Sequence, residues 1–339
     1  MSLSLVFPLK QVFYFVRADR NSQPTPNPTR LLMSTSLNIL LAGGAVLLGA
    51  GIVAAYAQTT STSNILSGSA TPQLVARQFK FTEGPAVDKA GNVFFTDQPN
   101  NRIWKYDTSG KLSVFLDKAG RANGMYFDKQ GNLLACADEQ NQLWSIAPNG
   151  KVTVLLQDVQ GHRLNGPNDL WVHPSSGGIY FTDPYYQRDY WTRTAPDPGI
   201  GGQKLYYLPK GQRQPAVVDD KLQKPNGIIG TPDGRQLYVA DIEADKTYRY
   251  QIAPDGQLTN RQLFVEQGSD GMTLDSQGNV YLTGKGVTVY NAAGQKIQHI
   301  AVPEAWTANV CFGGKNRRTL LITASEAVYV LPMRVKGAQ

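Results

Sequence analysis

The chain has 339 residues, 41% of them hydrophobic, with 33 basic side chains against 26 acidic ones and three histidines. The charge is weak and scattered, and without the first 57 residues it falls to 29 basic against 25 acidic, too little for a nucleic-acid footprint. The length is enough for one large all-β domain with a sizeable core.

The first stretch reads as an address. Lys10, Arg17, Arg20 and Arg30 precede Ile39 to Ala57, an unbroken run of 19 apolar and small residues. Its ending, Ala55-Tyr56-Ala57, has the small-x-small form of a signal-peptide cleavage site. Its length is also near that of a membrane span, so an uncleaved anchor over residues 37–57 is the alternative. Either reading exports the domain to the periplasm or the cell exterior. Met33 is a second candidate start. The expected division is an export segment at 1–58, a Ser/Thr-rich linker at 59–71 and a folded domain at 72–335.

The domain opens with Leu74 to Phe81, an expected strand. Phe81 to Asp97 then reads as two short strands around an Asp88-Lys89-Ala90-Gly91-Asn92 turn. The same pattern recurs five times. It begins again at Asn123-Gly124-Met125, Asn168-Asp169-Leu170, Asn226-Gly227-Ile228, Asp270-Gly271-Met272 and Asn309-Val310-Cys311, at spacings of 40, 45, 58, 44 and 39 residues. Repeats of about 40–45 residues built from four strands are propeller blades. Six copies predict an all-β, six-bladed β-propeller. The last copy has only three strands, at 309–312, 319–323 and 327–331. The N-terminal strand is expected to complete it and so remove an open edge.

Within the blades, Trp104 and Trp144 match across repeats and are expected to pack between blades. Cys136 and Cys311 fall in blades that are not neighbours, so both read as small buried residues. Between Asp183 and Lys204 blade 3 carries an insertion with Tyr185, Tyr186, Tyr190 and Trp191. Leaving from the end of the second strand, it can cover the channel mouth. No Gly-x-Ser-x-Gly elbow is present, no phosphate loop follows a strand, and His162, His173 and His299 lack zinc-site spacing.

The first position of the six copies carries the chemistry: Glu83, Asn123, Asn168, Asn226, Asp270 and Asn309. Innermost strands line the axis of a propeller, so equivalent positions converge on one point. Two carboxylates among carboxamides form an oxygen-rich cage suited to a hard cation.

Glu83-Gly84-Pro85, Asn165-Gly166-Pro167-Asn168-Asp169, Phe181-Thr182-Asp183-Pro184, Pro225-Asn226-Gly227-Ile228, Ser269-Asp270-Gly271-Met272 and Asn309-Val310-Cys311-Phe312-Gly313-Gly314 resemble the senescence-marker-protein/gluconolactonase/luciferin-regenerating-enzyme family over about residues 80–331. The resemblance implies a divalent cation in the channel, calcium first, with zinc, magnesium or manganese possible in the same site. It implies metal ligation by Glu83, Asn168, Asn226 and Asp270, proton transfer by Asp270, and hydrolysis of lactones. Asn123, Asn168, Asp183 and Tyr185 are assigned to substrate binding. Animal members carry an arginine two residues before the equivalent of Asn168, where this chain has Gly166, so no substrate-binding arginine transfers. A non-catalytic binding propeller with a structural ion, and an esterase or phosphotriesterase on the same site, are the alternatives.

Overall fold

The computed structural model describes residues 65–339; the export segment and the first part of the linker lie outside the described residues. Among the described residues the structure is six four-stranded antiparallel sheets and a single short 3-10 turn, Asp138–Gln140. Five sheets are built from consecutive strands. The first runs Thr82–Val87, Val93–Asp97, Arg102–Tyr106 and Leu112–Asp117 from the axis outward. The sixth is Asn309–Gly313, Thr319–Ala324 and Ala327–Pro332, completed on its outer edge by Gln73–Ala76. This is the expected closure: Leu74 pairs with Tyr329 across the two ends of the domain. Each innermost strand lies beside the next, and the sixth lies beside the first, so the ring is shut.

The local chemistry of the hairpins matches the repeat. Asp88 Oδ1 accepts the Asn92 N–H at 2.9 Å and Asp88 Oδ2 accepts Asn92 Nδ2 at 2.7 Å. Asp128 with Asn132 and Asp275 with Asn279 repeat the arrangement. Asp/Asn side chains thus stand in for backbone partners and fix each tight turn.

Blades are joined by apolar packing and by a recurring hydroxyl. Phe79, Phe95 and Trp104 meet edge to face with Cys311, Leu321 and Val328 between blades 6 and 1. Trp144 packs with Ala119, Ala122 and Ile146 between blades 1 and 2, so both tryptophans serve the blade interfaces. Cys136 and Cys311 are free and buried. On the second strands, Thr182 Oγ1 donates to the Asn226 carbonyl at 2.9 Å and Thr283 Oγ1 to the Ala308 carbonyl at 2.8 Å. Each bond ties one blade to the innermost strand of the next. Blade edges are blunted by bulges in the pairing of the two outer strands, as between Ile103 and Trp104 and between Leu143 and Trp144.

The domain extends beyond the expected 72–335. Ile65 is buried, its carbonyl accepts the Arg334 N–H at 2.8 Å, and Ala338 N donates to Leu274 O at 3.0 Å. The described end of the Ser/Thr-rich stretch is therefore docked, because Ile65 finds an apolar site beside Tyr329, Leu331 and Met333.

Close approach at the axis depends on glycine. Gly84 has φ of +45°, and a Cβ there would stand 1.9 Å from the Asn123 carbonyl oxygen. Gly84→Ala is therefore expected to destabilise the domain by about 3 kcal/mol, from left-handed strain plus overpacking. Urea unfolding measures it, and a loss below about 0.5 kcal/mol would show that the two blades can separate at no cost.

Candidate functional site

The ring positions come together as the repeat requires. Glu83, Asn226 and Asn309 lie on innermost strands; Asn123, Asn168 and Asp270 lie two residues before the innermost strands of their own blades. All but Asp270 are almost fully buried. Asn226 Nδ2 donates to Asp270 Oδ1 at 2.9 Å, and Asn309 Nδ2 donates to Glu83 Oε2 at 3.3 Å. The Gly84 N–H also donates to Glu83 Oε2, at 2.7 Å. Gly271 makes room for this cluster, since a Cβ there would stand 1.9 Å from the Asn309 carboxamide carbon.

The electrostatics follow from the enclosure. Burial pushes the Glu83 carboxyl well above its ordinary value, and the nearby Asp270 charge pushes it further. Asp270 is also raised by burial, against the stabilising hydrogen bond from Trp306 and the pull of Arg188. Asp169, behind the ring, is pushed up to about 7, again by burial. Like charges confined in a dry channel favour the protonated form, and the Glu83–Asp270 pair titrates as a unit.

The acceptor inventory fits a hard cation. Asn226 spends both amide hydrogens, on Asp270 and on the Tyr186 hydroxyl at 2.8 Å, and its Oδ1 is buried with no partner. The side chains of Asn123 and Asn168 make no hydrogen bond among the described residues. Among those residues no three His, Cys, Asp or Glu side chains form a metal-holding cluster; the donors are two carboxylates among neutral amide oxygens. An unpartnered buried carbonyl beside two carboxyl groups is the composition an oxygen-preferring ion takes.

Two expected site residues lie elsewhere. Asp183 is fully buried, and its oxygens accept the backbone N–H of Asn165 at 2.9 Å and of Gly166 at 2.8 Å. It fixes the loop leading to Asn168 and has no free face for substrate. Asp97 and Asp241 accept backbone N–H groups before their own innermost strands in the same way. The Tyr185 hydroxyl donates to Gln187 at 3.0 Å; its neighbour Tyr186 is the ring that reaches Asn226.

Other residues of the site escape the repeat. Trp306, in the connection between blades 5 and 6, donates Nε1 to Asp270 Oδ2 at 2.6 Å. Its only signal was its place three residues before Asn309. The insertion supplies Arg188 and Arg193. Arg193 forms a buried ion pair with Asp138 and donates to the Asn165 carbonyl. A Cβ on Gly166 would stand 2.1 Å from Arg193 Nη1. The place where the resemblance leads one to expect an arginine is thus occupied by a guanidinium arriving from another loop.

A closed ring of six blades with an acid and amide cluster on its axis defines a six-bladed β-propeller with a polar axial site. Residues 81–326 match the family model described as the SMP-30/gluconolactonase/LRE-like region, and the chain belongs to this family. A gluconolactonase of Zymomonas mobilis is 28% identical over 294 residues, covering 78% of this chain and 82% of that protein. A solved gluconolactonase structure from Xanthomonas campestris is 28% identical, with a TM-score of 0.74 over 81% of this chain and 93% of its own. Regucalcin of Agrobacterium tumefaciens, described as a calcium-binding protein, shares the fold at 20% identity, with a TM-score of 0.67 over 79% of this chain and 95% of its own.

The raised carboxyls set a pH dependence. Their folded-state values lie above the ordinary carboxylate value near 4. The favourable contribution of Asp169 is therefore complete below about pH 4 and is lost as pH rises through about 7, and the raised Glu83 and Asp270 act in the same direction. Chelator-treated protein should lose stability to urea between pH 5 and 7, and Asp169→Asn should flatten that slope. A slope unchanged by the substitution would remove Asp169 from the proton balance.

Proposed function

We propose that the protein is a divalent-cation-dependent lactonase, opening sugar lactones or similar cyclic esters at the channel axis. The single observation that carries the reading is the Glu83–Asp270 pair beside the unpartnered Asn226 Oδ1. Kinship with proteins named gluconolactonase supplies the substrate class.

Glu83, Asn168, Asn226 and Asp270 would hold the ion, with calcium the first choice from an all-oxygen donor set. When bound there, the ion would supply Lewis-acid polarisation of a lactone carbonyl. The chain's own residues do the rest. Asn123 and Asn168, with side-chain amides free, hydrogen-bond the hydroxyls of the substrate. Tyr186 and the rest of the insertion roof the channel mouth and limit bulk water. Trp306 and Asn226 each hold one oxygen of Asp270, fixing the plane of its carboxylate. Asp270 takes a proton from water as the water oxygen adds to the carbonyl carbon. The ring C–O bond then breaks, and the departing alkoxide takes up that proton. One lactone and one water thus give one hydroxy acid.

Asn226→Ala and Asp270→Ala are each expected to leave the propeller folded while weakening calcium binding by more than the ~10–100-fold typical of losing an outer-shell partner. Hydrolysis of glucono-1,5-lactone should fall below detection. Calorimetric titration with calcium and circular dichroism make the measurement; unchanged affinity would take these residues out of the metal site. Because protons compete for the same carboxylates, affinity should rise from pH 5.5 to 8, with proton uptake by the buffer on binding. In wild-type protein a chelator should abolish hydrolysis and calcium should restore it; full activity in chelator would rule out the cation dependence.

A further inference from the structure

The polar ring itself contains no cation, but the blade 3 insertion brings one to it. Tyr186 accepts a hydrogen bond from Asn226 at 2.8 Å, and the Arg188 guanidinium lies over the Tyr186 ring, 4.6 Å from its centroid. Arg188 therefore sits one aromatic ring above the Asn226–Asp270 contact. Its Nε lies 3.9 Å from Asp138 Oδ2, beyond hydrogen-bond reach. Asp138 is already engaged by Arg193 and by Gln98 Nε2 at 3.0 Å. The Nε of Arg188 is buried without a partner, and no nitrogen of its guanidinium donates to any described residue.

That is a costly state for a largely enclosed arginine. A guanidinium carries five donors in a planar fork, and leaving a desolvated one unspent is costly. Arg193, five residues on in the same loop, also buries its Nε without a partner, but its Nη atoms form an ion pair and reach carbonyl acceptors, whereas those of Arg188 donate to no described residue. The charges near Arg188 point the same way. The two carboxylates that sense it are Asp138 and Asp270. Arg193 neutralises the first, and on the reading above the second is committed to a divalent cation together with Glu83. One positive charge is left over at the channel mouth.

We propose that Arg188 is a specificity residue for an oxyanion substituent, so that the preferred substrates are lactones bearing a second acidic group remote from the reacting ester. Carboxylate, phosphate and sulfonate share the geometry that a guanidinium fork binds through paired hydrogen bonds. The proposal rests on the reading above for the word lactone and for the cation that leaves the Arg188 charge spare; the unspent donors of Arg188 are read from geometry alone.

The test uses holoprotein and three lactones: neutral glucono-1,5-lactone, glucaro-1,4-lactone with its free carboxylate, and 6-phosphogluconolactone. Wild-type protein should favour one or both acidic lactones in kcat/KM. Arg188→Gln should reduce that preference ~10–100-fold, mainly through KM, the range expected for losing a charge-assisted hydrogen bond. Arg188→Lys, which keeps the charge and loses the fork, should restore part of it. An equal loss on neutral and acidic lactones would overturn the proposal. Calorimetric binding of glucarate against gluconate is the second measurement: wild type should bind the dianion more tightly, and Arg188→Gln should erase the difference. Equal binding of the two by wild type would overturn it as well. If no lactone is hydrolysed, the lactonase reading fails alone, and the binding comparison still decides the role of Arg188.

Discussion

Everything at the axis depends on holding two like charges together in a place with little water. Glu83 and Asp270 come from blades 1 and 5; the Asp270 charge raises the energy of ionised Glu83, while Glu83 as the protonated partner stabilises Asp270 by a hydrogen bond. No local sequence preference would put them there. The closed ring does it: the innermost strands are forced against each other, and the sixth against the first, by apolar packing spread through all six sheets. The repulsion is moderated by donors aimed at the oxygens: Gly84 N–H and Asn309 at Glu83, Asn226 and Trp306 at Asp270. A proton or a cation relieves what remains. The folded state therefore holds electrostatic tension at the axis, which makes its stability depend on pH.

The same constraint explains which parts of the molecule were legible in the sequence. Six chain segments met one geometric demand, and the residues answering it recur in register, so the blades, the closure by the N-terminal strand and the ring residues could be read together. Periodicity marks a position in the blade, however, and not the direction a side chain takes. Asp97, Asp183 and Asp241 are as periodic as the ring residues. Successive strand residues point to opposite faces. Thr96 and Thr182 therefore turn to the next blade, while the aspartates beside them turn back to cap their own loops. Asp183 belongs to that structural set. Trp306, Arg188 and Arg193 lie in connections outside the repeat, where no second copy exists against which to compare them.

The insertion shows how one blade can individualise a repetitive site. Gly166 removes a side chain from the loop before Asn168, and Arg193 fills the space from the other side, pairing with Asp138 and bonding the Asn165 carbonyl. The exchange is coupled: a larger residue at 166 would evict the guanidinium, and loss of the guanidinium would leave Asp138 as a buried carboxylate with only Gln98 and a distant Arg188. Buried charges tolerate such losses poorly. Arg193 thus anchors the loop, and the anchored loop presents Tyr186 and Arg188 to the channel. The six-fold ring gathers the acid and amide groups; a single non-repeated loop, locked by one ion pair, sets Tyr186 and Arg188 beside them.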